Sequence, residues 1–349
     1  MARINHEVTV RQKLLDEKGN IREPGYAKTL IWEYSRDDIK ANDIRIKEWD
    51  YYYIGNRDHA LCLTVSDSGY VSCLSASILT FGDKPEQYND SEIGPFPMGT
   101  LDLPSTSEKG DIDVEVGTCK MKFENDGVTR RLVGSYENFC KDGTLEFDII
   151  LSDIPKESMV IATPFNKDKH FYYNQKINCM KAKGYAKWKG KEYRFDEDSH
   201  SMATLDWGRG VWTYDNTWYW GSGQTVLDDG STFGFNIGYG FGDTRAASEN
   251  MLFYNGTAHK LDDVTFNIPK DANGEYLYME PWTFTSSDGR FEMEFKPIID
   301  RVAPIDLKVI CMLPHQVFGL MTGKAVLDDG RVIEIKDTLV FAERVHNKW

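Results

Sequence analysis

The sequence predicts an all-β protein built as two tandem antiparallel barrels, and three observations carry that reading. Nearly every segment alternates with period two and is rich in Tyr, Phe, Val and Thr; D-G, N-G and S-G dipeptides punctuate the alternation; and one stretch recurs late in the chain. No helical pattern separates the strands, which excludes parallel α/β folds, and barrel closure would hide the edges that so many aromatic strands otherwise expose.

Residues 1–44 read as an arm or plug, with one short helix signalled by the capping-box spacing of Ser35 and Asp38 in SRDDIK. Strands are expected over Arg45–Ile54, His59–Ser66, Tyr70–Phe81, Thr144–Leu151, His170–Met180, Phe233–Phe241, Arg290–Phe295 and Ala325–Ile335. Hairpin turns are expected at Asp142-Gly143, Asp229-Gly230, Asp288-Gly289 and Asp329-Gly330, because Asp-Gly accepts the positive φ of a tight turn. GQTVLDDGSTF at Gly223–Phe233 returns as GKAVLDDGRVI at Gly323–Ile333. Shared turn chemistry could produce this echo locally; a tandem duplication would place the copies in separate units. The second reading puts the first barrel at 45–250 and the second at 251–349.

The chain has 349 residues, enough for about two cores. With 41 Lys+Arg against 55 Asp+Glu, its net charge of −14 repels nucleic acid and anionic lipid. The longest apolar stretches, such as Met159–Phe165, fall short of the ~18–20 residues that span a bilayer, and the start MARINHEVTVRQ has no signal-peptide core. A cytoplasmic protein without membrane insertion is expected. The six cysteines show no C-x-x-C, so free thiols are expected; a two-residue turn at Asp67-Ser68 would set Cys62 opposite Cys73. No nucleotide, zincin or hydrolase motif occurs and no His lies in ligand spacing, so neither cofactor nor metal is expected.

Four segments carry candidate chemistry. In RIKEWDYYYI, Glu48 and Asp50 share one strand face with Ile46 and Tyr52, where apolar company would raise a carboxyl pKa; solvent beside Lys and Arg is the alternative. Trp49 points the other way. In TLDWGRGVWTYDNTWYWGSG, Trp207, Trp212, Trp218 and Trp220 surround Asp206 and Arg209 and form either a core or a pocket wall. Gly208 and Gly210 suggest a bulge that aims Arg209. The strand HFYYNQKINCM sets Asn174 and Lys176 on one face and Tyr173 on the other, and Glu249 opens an apolar strand. The glycines 234, 238, 240 and 242 leave one face of GFNIGYGFGD bare, with space for something flat on the backbone, either a ligand or the neighbouring indoles.

ESMVIATPF, FYYNQKINCM, LDWGRGVW, NTWYWGSG, GFGD and SSDGRFEMEF resemble the bacterial family called domain of unknown function 2804 over nearly the whole chain. More remotely, Asp206-Trp207-Gly208, then Trp218-x-Trp220, then Leu227-Asp228-Asp229-Gly230 is similar to the E-W-G, W-D-W-F and L-D-D-G string of the AttH-like and carotenoid hydratase group. That resemblance implies two lipocalin-like (calycin-type) barrels side by side, with a ligand between or inside them, and hydration, isomerisation or cyclisation of an apolar substrate. Leu205 and Tyr219 stand where the hydratase-like string has His and Asp, so this chain would need another proton donor.

The leading expectation is therefore an acid–base enzyme acting on a small molecule between Trp and Tyr walls. Asp206 or Glu48 would be the proton donor, Asp50 its partner or water orienter and Arg209 or Lys176 the electrostatic stabiliser, with Trp49, Trp207, Trp218, Trp220, Tyr173, Asn174, Lys176 and Glu249 contacting substrate. Indole platforms with paired carboxylates also suit glycoside hydrolysis, and a barrel alone suits a non-catalytic carrier.

Overall fold

The computed structural model describes residues 4–302, 305–306 and 311–348. It contains two antiparallel sheets, each curled on itself into a barrel or half-barrel. The first runs in the order Glu86–Pro95, Val71–Thr80, His59–Asp67, Ile46–Gly55, Met202–Val211, Phe171–Trp188, Leu145–Ser152, Arg130–Tyr136, Cys119–Asn125, Ile112–Val116. Its ends approach each other where Thr118 Oγ1 donates to Glu92 Oε1 at 2.7 Å. The second sheet has Asp215–Val226 beside Val332–Lys348 and Cys311–Val326 at its centre.

The sheets part between Val211 and Asp215, earlier than the 250 expected from the repeated motif. The reason is instructive. Both copies of V-L-D-D-G lie in the second sheet, each closing a hairpin: Gly230 N–H donates to Leu227 O and Gly330 N–H to Leu327 O, with φ of +82° and +84°. The echo is local turn chemistry repeated twice in one barrel, and the Ala325–Ile335 segment is two strands around such a turn.

Period-two alternation decides what each strand buries. Leu63, Val65, Leu74, Phe147 and Trp207 fill the first barrel; Phe235, Ile237, Phe284, Phe295 and Val317 fill the second. Each such side chain contributes about 1.5–3 kcal/mol. The outer faces of the two barrels meet through Tyr172, Trp212, Phe241 and Met251 on one side and Tyr51, Tyr53, Trp220, Phe318 and Phe341 on the other. The N-terminal arm inserts Leu14, Leu15, Trp32 and Tyr34 into the first barrel, and Tyr173 Oη donates to Trp32 O at 2.9 Å. Its helical turn at Arg36–Asp38 is 3-10, and Ser35 makes no side-chain cap.

All six cysteines are free. Ser66, and not Cys62, stands opposite Cys73, because the hairpin turns two residues later than expected, at Gly69-Tyr70, where Ser68 N–H donates to Val71 O.

Candidate functional site

Both faces of the Ile46–Gly55 strand are covered, which is why neither reads as clean in sequence. The even face, with Glu48 and Asp50, points into the first barrel. There Arg209, fully buried, donates from Nη1 and Nη2 to Asp50 Oδ1 at 3.1 Å and to the carbonyls of Trp49, Gly208 and Pro104 at 2.8 Å. Glu48 accepts from Tyr34 Oη at 2.7 Å and pairs with Arg36. Burial raises the Asp50 carboxyl while Arg209 opposes the shift. Trp207 and Tyr173 pack edge to face at 5.4 Å on the same interior side. The structure thus gathers Glu48, Asp50, Arg209, Trp207 and Tyr173 in the first barrel's interior, where Glu48, Asp50, Tyr173 and the Arg209 Nη groups are hydrogen-bonded to protein.

The odd face meets the second barrel. Asp206, one residue before Trp207, points there too, because successive residues of a strand alternate sides. Between the barrels lies a cleft of about 770 Å³ lined by Trp49, Tyr51, Tyr172, Lys176, Asp206, Trp212, Trp218, Trp220, Glu249 and Glu343 among others. Lys176 and Asp206 are opposite each other on adjacent strands and form an ion pair of 2.7 Å. Lys176 Nζ also sits 3.9 Å from the centre of the Trp220 ring, and Asn174 Nδ2, on the same strand face, donates to Asp206 Oδ1 at 2.6 Å. Trp49 stacks on Tyr172 and stands edge-on to Trp212, which continues through Trp218 and Phe241 as an aromatic wall.

Gly208 introduces no bulge beside Arg209; the register slips between Ile177 and Met180. Its role is clearance, since a Cβ at Gly208 would overlap the Trp49 indole. The bare glycine face likewise admits Cys179 at Gly234 and Glu249 at Gly238, where a Cβ would lie 2.6 Å from Cys179 Sγ and 3.0 Å from Glu249 Cδ. The indoles expected there are elsewhere.

Sequence reading passed over Glu343. On the Val332–Lys348 strand it stands directly opposite Trp220, and its carboxylate accepts from Trp218 Nε1 at 2.9 Å and Gln316 Nε2 at 3.0 Å. Gln316 in turn accepts from Arg301 Nη1 at 2.7 Å. Burial pushes the Glu343 pKa up to about 7, with Asp206 adding to the rise and the Trp218 N–H and Lys176 opposing it. Burial raises Glu249 as well. The signal was present: in VFAERV a lone acid shares its strand face with Phe341 and Val345. Among the described residues, no three His, Cys, Asp or Glu side chains group as metal ligands, and no helix is long and apolar enough to cross a membrane.

A family model described as domain of unknown function DUF2804 matches residues 5–349, and the chain belongs to that family. Among solved structures, the fold is similar to kievitone hydratase from Nectria haematococca, 13% identical over 97% of this chain and 98% of that one, with a TM-score of 0.53. It is also similar to a putative AttH from Nitrosomonas europaea, 15% identical over 89% of this chain and 96% of that one, with a TM-score of 0.50. No curated protein matches the chain in sequence. At such identities the likeness is one of fold, and it agrees with the lipocalin-like tandem read from the motifs.

Proposed function

We propose that this member of the DUF2804 family is a hydratase-like enzyme that adds water to, or removes it from, a carbon–carbon double bond of a small molecule held between the barrels. One observation carries the reading: a carboxylic acid with a pKa near 7, Glu343, shares an aromatic-walled cleft with an ion-paired carboxylate, Asp206. A general acid is most effective with its pKa near the working pH.

The roles follow from hydrogen-bond chemistry. Both Glu343 oxygens accept from protein N–H groups: an indole has only a donor, and Arg301 fixes the Gln316 amide with its NH₂ toward Glu343. The acid's own proton therefore finds no acceptor in these two neighbours and is free for a ligand in the cleft. In the hydration direction Glu343 protonates one alkene carbon. Indole faces stabilise the positive charge on the other, and a water held by Asp206 attacks it as the carboxylate takes the water's proton. That proton's return to Glu343 closes the cycle. Lys176 and Asn174 orient Asp206 through the 2.7 Å ion pair and the amide hydrogen bond.

The titratable acid in the cleft supports this reading over a carrier. The test is incubation of the protein with extract fractions in ¹⁸O-labelled water, read by mass spectrometry. Protein-dependent products carrying one added label are expected, or products lighter by one water in the reverse direction, and Glu343→Gln is expected to lower their formation by about 10²–10⁴-fold. Equal product from wild type and Glu343→Gln removes Glu343 as the acid.

A further inference from the structure

The register of the first sheet places a single row of residues across its outer face: Lys176, Asp206, Tyr51, Thr64, Ser75 and Ser91 are successive partners on six adjacent strands. All six line the same cleft. With strands ~4.8 Å apart, Thr64, Ser75 and Ser91 lie roughly 10, 14 and 19 Å from Asp206 along the row. From Asp206 outward, the floor changes from charge to aromatic ring to hydroxyl.

We propose that this hydroxyl arm is a binding subsite for the ring hydroxyl of an elongate, flat, otherwise apolar ligand whose reacting bond lies at the Asp206–Glu343 end; the inference rests on the reaction proposed above. Where this outer face meets the second barrel's strands directly, it carries Tyr51 and Tyr53. At Thr64 and Ser75 it carries small side chains instead, half-buried, with the cleft above them and no protein hydrogen bond to either hydroxyl among the described residues. The second barrel supplies Met312, Pro314 and Val345 on the cleft's lining, apolar groups suited to a ring face. A hydroxyl row both donates and accepts, so it matches a ligand hydroxyl in either role. Ser91 is exposed, so the arm opens to solvent at its end and limits ligand length only weakly.

The probes are 4′-hydroxyflavone and unsubstituted flavone, titrated against the intact protein by quenching of tryptophan fluorescence. Wild type is expected to bind the hydroxylated compound at least about fivefold more tightly, the size of one net hydrogen bond. The double variant Thr64→Val with Ser75→Ala is expected to bind both equally, and Thr64→Ser to retain the preference. Equal binding by wild type, a preference that survives in the double variant, or no binding of either probe overturns the subsite. Glu343→Gln separates this from the reaction itself: it should keep the hydroxyl preference while losing water addition, and a Glu343→Gln protein that still adds water overturns only the catalytic reading.

Discussion

Lys176 and Asp206 close an ion pair of 2.7 Å on a sheet face where both side chains are almost wholly buried, with the Trp220 indole against the ammonium. A pair so placed is strongly mutual: each charge is tolerated in the interface because of the other.

Lys176→Met should therefore destabilise the fold by about 3–5 kcal/mol, because it strands the Asp206 carboxylate. Pairing it with Asp206→Leu should restore most of the loss. Urea denaturation measures both, and a cost for Lys176→Met under about 1 kcal/mol, typical of a solvated pair, would contradict the burial described.

The Glu343 acid makes stability depend on pH. Its folded pKa of about 7 lies above the ordinary 4.5, so the folded state holds a proton that the unfolded state releases. The stabilisation is complete below about 4.5 and is lost as pH rises to about 7, a cost of about 3 kcal/mol across that window. Glu343→Gln lacks this term, so its stability relative to wild type should rise with pH over the same interval; parallel curves would show that the carboxyl titrates normally. Activity that needs the protonated acid should fall above about pH 7.

Arg209 is a different case. Sequence reading gave it an electrostatic role at the reacting centre, whereas in the structure it neutralises Asp50 within the first barrel. Arg209→Met should cost about 3–5 kcal/mol by leaving Asp50 without its cation. Below the unfolding transition, probe binding in the cleft should change little. A variant of full stability that fails to bind would return Arg209 to the site.

Gly208→Ala should displace the Trp49 indole, since the added methyl overlaps the ring. Stability should fall by about 1–3 kcal/mol, the usual cost of overpacking, with weaker flavone binding. Gly230→Ala, with open space around the added methyl and only its positive φ to oppose it, should cost about 1 kcal/mol and leave binding intact. Thermal unfolding and the same fluorescence titration check both, and equal binding losses would remove Trp49 from the cleft wall.

Much of the candidate site was legible. HFYYNQKINCM assigned Asn174 and Lys176 to one face, and NTWYWGSG placed Trp218 and Trp220 together, because a strand's alternation needs no partner to be read. Glu343 was harder to see. It follows Trp218 by more than a hundred residues, and only the pairing of the Asp215–Val226 and Val332–Lys348 strands brings it beside that indole.

Sequence alone determined the strands, the Asp-Gly turns and the sorting of side chains into two faces, since these depend on backbone geometry within a few residues. Tertiary structure alone decided which face looks where. In the Ile46–Gly55 strand the face of Glu48 and Asp50 enters the first barrel, and the face of Trp49 and Tyr51 meets the second. Period two separates the faces but gives no sign of which meets a ligand when both are buried. It was likewise sheet pairing that placed both V-L-D-D-G turns in one barrel, because identical turn chemistry serves any hairpin.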